Sequence, residues 1–151
     1  MVEMVAAGLP AGITGGGVRV MPVEAGRMWL VSGVDMAANT VVAGRHWLAP
    51  GRVLAVGGEV PEGALVSEVG DGYVVLDMTG ARWREVLAMG TTISAAAVEV
   101  GMCAQTVFAG VRLLIAGRDG GVRLFVERPL AAWLLEWLRV AVTSLERDAS
   151  G

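Results

Sequence analysis

The chain contains no lysine. All 12 of its basic side chains are arginine, so a Schiff-base lysine, a phosphate-loop lysine and a lysine general base are excluded together. Histidine and cysteine occur once each, as His46 and Cys103. A single cysteine forbids an internal disulfide and points to a reducing compartment. Zinc takes about four ligands, mostly Cys or His, and this inventory cannot assemble a conventional site. Charge is sparse as well, at 18% of residues against about 25% in ordinary soluble chains. The net charge of −3 argues against nucleic acid, whose binding needs a basic footprint. No apolar run approaches the ~20 residues of a membrane-spanning helix, and no basic stretch precedes an apolar one at the start, as a secretory signal requires. These absences predict a cytoplasmic protein that binds neither nucleic acid nor membrane.

What is present is apolar. Hydrophobic residues make up 54% of the 151, enough for one domain that buries about two-thirds of its unfolded surface. So apolar and weakly charged a chain is expected to hide part of its surface against a partner.

The punctuation divides it into a flexible N-terminal arm over 1–16, rich in glycine and alanine, a single α+β domain over 17–146, and a loose tail over 147–151. Short apolar runs predict strands near 17–22 and 27–32, and the stretch VDMAANTVVAG fits a loop or a short helix. Pro50-Gly51 reads as the turn of a hairpin. Two strands follow, near 64–69 and 72–78, with Asp71-Gly72 as the turn between them. A first helix is expected to be capped by Thr79, to present Trp83, Val86 and Leu87 on one face, and to end at a left-handed Gly90. Three segments beginning at Cys103 and joined at Gly110 and at GRDGG predict strands apolar on both faces, as in a sheet covered on each side. A closing helix is expected to have Pro129 at its first helical position and carries a stripe of Leu130, Trp133, Leu134, Trp137, Leu138 and Ala141, widened by Leu135, Val140 and Val142. The fold class is α+β, a small mixed or antiparallel sheet with packed helices.

No catalytic constellation stands out. ITGGGVRV lacks the spacing of a dinucleotide loop and reads as a glycine hinge. His46 reads as a surface or edge histidine without a partner. Cys103, with no base at a recognisable spacing, reads as a small hydrophobe that opens a buried strand. Glu127-Arg128 before the last helix reads as a solvated cap, and the carboxylates show no acid/base pairing. The residues singled out as partner contacts are Trp133, Trp137, Leu135, Arg112 and Arg123, because tryptophan and arginine anchor apolar interfaces.

Three segments in order are similar to one family. WLAPGRVLAVGG at 47–58, SEVGDGYVVLDMTGARWREVLAMG at 67–90 and CAQTVFAGVRLLIAGRDGGVRLFVERPLAAWLLEWL at 103–138 resemble the gamma subunit of heterotetrameric sarcosine oxidase. The resemblance implies a fold like the folate-binding domain of aminomethyltransferases. It also implies a subunit with no cofactor of its own, beside an alpha subunit with NAD and tetrahydrofolate, a beta subunit with FAD, FMN between these two, and a small zinc-binding delta subunit. Such a complex demethylates sarcosine oxidatively and passes the one-carbon unit to folate. Alternatives are a subunit of a related imino-acid dehydrogenase, a stand-alone folate-binding aminomethyltransferase-like protein, or a scaffold unrelated to amines. The chain departs from the family at GTTISAAAVEV, where a Gly-Cys-Pro-x-Asp-like turn is usual, which leaves the substrate open.

Overall fold

A computed structural model describes residues 11–150. Among the described residues, eleven strands build two antiparallel sheets and two α-helices pack with them. The larger sheet contains β1 (Ile13–Gly15), β2 (Val18–Val23), β8 (Tyr73–Thr79), β11 (Gly121–Glu127), β10 (Val111–Arg118) and β9 (Cys103–Phe108), in that spatial order. The smaller runs β4 (Val41–Val42), β5 (Arg45–Ala49), β6 (Arg52–Val56), β3 (Met28–Ser32) and β7 (Leu65–Glu68). Helices α1 (Trp83–Gly90) and α2 (Arg128–Ser150) cover the outer face of the larger sheet.

The three layers follow from the alternation of side chains along each strand. On β8, Val74, Leu76 and Met78 point to the helices, joined by Val122, Leu124 and Val126 of β11 and by Leu134, Leu135 and Leu138 of α2. Each of these leucines is fully buried and contributes about 1.5–3 kcal/mol of transfer free energy. The opposite parity, with Val75, Phe125, Leu114 and Cys103, meets Met28 and Leu54 of the smaller sheet. A third cluster lies on the far side of that sheet, where Trp29, Val31, Val53 and Ala55 are covered by Val34 and Met36. The central strands are thus apolar on both faces because helices lie on one and a second sheet on the other.

Several expectations are corrected. The sheet is not one but two, because strands 28–68 pair among themselves. The turn at Asp71-Gly72 makes no hairpin: a short 3-10 turn at Gly70–Gly72 carries the chain from β7 of the smaller sheet to β8 of the larger. Part of the N-terminal arm, residues 1–10, lies outside the described residues. Its remainder is not loose, since Ile13–Gly15 pairs with Val18–Val20 as β1. The tail from 147 likewise continues α2 to Ser150. Thr79 ends β8 and does not cap α1, whose N-cap is Arg82 without a side-chain bond. Gly90 is the last helical residue, and its φ is not positive. Its missing side chain serves packing, because a Cβ there would lie 2.4 Å from the Phe108 ring. Pro22 sits in β2 beyond the reach of β1, pairing only Leu76 on β8, so its absent N–H falls on an open edge.

Candidate functional site

Helix α2 decides which of its apolar residues are core. Ala131, Leu134, Leu135, Leu138, Ala141, Val142 and Leu145 are buried. The stripe expected from the sequence is therefore rotated by about one position. Leu135, chosen as a partner contact, is wholly inside and cannot be one. The outward side is still apolar. Leu130 is 37% exposed, Trp133 53% and Val140 57%. Trp137 is half-buried and meets Phe108 edge to face at 5.3 Å. Residues 130, 133, 137 and 140 are spaced three and four apart, so they form one stripe along the solvent side of the helix. Monomers seldom string large apolar side chains together this way.

The two arginines chosen with them part company. Arg123 is committed internally: its Nε and Nη2 donate to the two carboxylate oxygens of Asp77 at 2.7 and 3.0 Å. Arg118 pairs with the same carboxylate, which is otherwise buried in the middle of β8. Two arginines compensate the cost of hiding that charge. Arg112 is exposed, and no hydrogen bond or ion pair among the described residues holds it.

His46 is buried, contrary to the surface reading. Its ring packs edge to face on Phe125 at 5.1 Å, and Nδ1 lies 3.1 and 3.3 Å from the carbonyls of Gly44 and Leu54. Both partners are acceptors, so Nδ1 carries the proton. Burial pushes its pKa down, and the ring is a neutral packing element. Cys103 does open a strand. It is fully buried, its Sγ directed at the carbonyls of Thr40 and Trp47, and burial pushes the thiol pKa up. A thiol so placed is protonated and shielded, the reverse of an activated nucleophile.

A cleft of about 180 Å³ opens between the two sheets where β8, β10 and β11 reach the start of α2. Leu30, Leu48 and Leu54 of the smaller sheet face Leu114 and Phe125 of the larger across it. Its rim is polar, with Tyr73, Gln105, Arg112 and Glu127, and Leu130 of α2 stands at the same mouth. The register makes this row: Tyr73 pairs Glu127 across β8 and β11, and the pairing Leu114 with Phe125, carried two residues on, sets Arg112 opposite Glu127. Burial, then Glu127, pushes the Tyr73 pKa up, so its hydroxyl stays a donor. Sequence reasoning missed Glu127 as a rim residue, although counting back from the GRDGG turn gives its pairing with Arg112. Tyr73 had no such signal.

No family model matches the chain, and no curated protein matches it. The fold does have a counterpart among solved structures. A chain of the heterotetrameric sarcosine oxidase from Corynebacterium sp. U-96, solved in complex with pyrrole 2-carboxylate, superposes with a TM-score of 0.73 at 16% identity. The match covers 90% of this chain and 89% of that one. At such identity the likeness establishes the fold, which is the α+β class expected. No three His, Cys, Asp or Glu side chains converge as a metal set among the described residues. No helix among the described residues is long and apolar enough to cross a membrane.

Proposed function

We propose that the chain is a non-catalytic, gamma-type subunit of an amine-oxidising flavoprotein complex related to heterotetrameric sarcosine oxidase. The observation that carries the reading is the outward stripe of α2 on a fold that superposes nearly end to end on a chain of such a complex. The match runs over most of both chains. Leu130, Trp133, Trp137 and Val140 are the contacts offered to a larger subunit; Arg123 and Leu135 are not, and Arg112 lines the inter-sheet cleft instead. Supporting the non-catalytic role, the thiol and the imidazole are both sealed in packing sites, and among the described residues no acid/base pair shares a cleft with them.

On this reading FAD, FMN, NAD, tetrahydrofolate and zinc belong to the alpha, beta and delta partners. The reaction of the assembly is the oxidative demethylation of sarcosine or another secondary amine, with the one-carbon unit passed to tetrahydrofolate. Co-expression with the large flavoprotein subunits of such an oxidase tests this. The chain should elute with a flavin-coloured complex, whereas the chain alone should self-associate and bind neither flavin nor zinc. A yellow protein obtained from this chain alone would overturn the non-catalytic assignment.

A further inference from the structure

We infer that the inter-sheet cleft is a binding site for a small zwitterion with an aliphatic body, of the class of branched-chain α-amino acids. A void of about 180 Å³ matches such a ligand in size, since an apolar cavity of roughly 150 Å³ holds benzene. Leu54, Leu114 and Phe125, all buried, give it a floor that rewards an aliphatic side chain.

The rim supplies both charges. Arg112 and Glu127 stand opposite each other on adjacent strands yet form no ion pair, and no hydrogen bond or ion pair among the described residues holds either. Two free opposite charges that flank one opening suit a ligand whose carboxylate and ammonium are separated by a single carbon. Arg112 presents a fork that takes a carboxylate, and Glu127 accepts from the ammonium. The protonated Tyr73 hydroxyl and the Gln105 amide line the same mouth. Gln105 already donates to the Leu48 carbonyl at 3.0 Å, which fixes its amide and leaves its oxygen as an acceptor. The inference needs no partner subunit, so its failure leaves the subunit reading untouched.

Calorimetric titration of the full chain, in whatever assembly it purifies, tests it with four probes. L-Leucine carries both charges and an aliphatic body, 4-methylpentanoate lacks the ammonium, 3-methylbutylamine lacks the carboxylate, and glycine lacks the body. L-Leucine should bind saturably, once per chain. Each single-charge probe should bind about tenfold or more weakly, the effect of one lost charge-assisted hydrogen bond. Glycine should not bind. Arg112→Ala and Glu127→Gln alter exposed side chains and should leave the thermal midpoint unchanged. The first should reduce L-leucine to the level of the amine, the second to that of the acid. Absence of saturable L-leucine binding at ~10 mM, where a millimolar site is mostly filled, would overturn the inference. So would binding that both variants leave unchanged.

Discussion

Replacing Gly90 by alanine sets two effects of opposite sign against each other. Alanine is the better helix former by roughly 0.5–1 kcal/mol, and Gly90 is helical. The new Cβ, however, would lie 2.4 Å from Cε2 and Cζ of Phe108. That ring is fully buried and wedged against Trp137, so it has no solvent to swing into. Overpacking of this kind costs ~1–3 kcal/mol. The steric effect wins, leaving a net loss of about 1–2 kcal/mol and a thermal midpoint lower by roughly 3–6 °C. Urea unfolding followed by tryptophan fluorescence measures it, in the wild-type and in a Phe108→Leu background. In the second background the clash is relieved, and Gly90→Ala should be neutral or stabilising. A glycine held by a left-handed backbone would lose the same stability in both backgrounds, and that result would refute the packing argument.

Three further outcomes are expected. Ala43 and Gly44 link β4 to β5 with both φ angles positive, the geometry of a turn that favours Asn-Gly; since Ala43 is exposed, Ala43→Asn should stabilise by about 0.5–1 kcal/mol in the same urea assay. His46 is the only histidine, and its folded pKa is lowered below 6.5. The unfolded chain therefore binds the extra proton, and stability is lost as pH falls below about 6.5, with a slope of up to one proton that His46→Gln removes. Native Cys103 should resist a soluble disulfide reagent until urea unfolds the chain, while Cys103→Ala should cost about 1–2 kcal/mol and leave turnover of the complex intact.

Much of the fold was legible because its signals are local. The runs around Cys103, Val111 and Gly121 became the three strands expected, and Pro50-Gly51 turned the β5–β6 hairpin. What failed were judgements that depend on distant partners. Asp71-Gly72 has the composition of a hairpin turn, but Leu65–Glu68 finds its neighbour in Met28–Ser32 and not in the strand that follows. Leu135 and Trp133 differ by two residues on one helix, and only the position of the sheet beneath decides that the leucine is core. His46 looked unpartnered because its partners are backbone carbonyls and a phenyl ring from β11, none of which spacing reveals. The cleft required two sheets, and the sequence pattern suggested one.

The central claim is that the outer stripe of α2 docks on a larger flavoprotein subunit. Its most direct test is gel filtration of the co-expressed proteins, read at the flavin absorbance, for the wild-type chain and for Trp133→Glu. Trp133 is more than half exposed, so the variant should fold and keep its thermal midpoint. The wild-type chain should co-elute with the flavin. The variant should lose the complex, as expected for a central tryptophan worth 2 kcal/mol or more, roughly thirtyfold in affinity. A monodisperse wild-type monomer with no affinity for any flavoprotein subunit would contradict the account, as would a Trp133→Glu variant that assembles as well as the wild type.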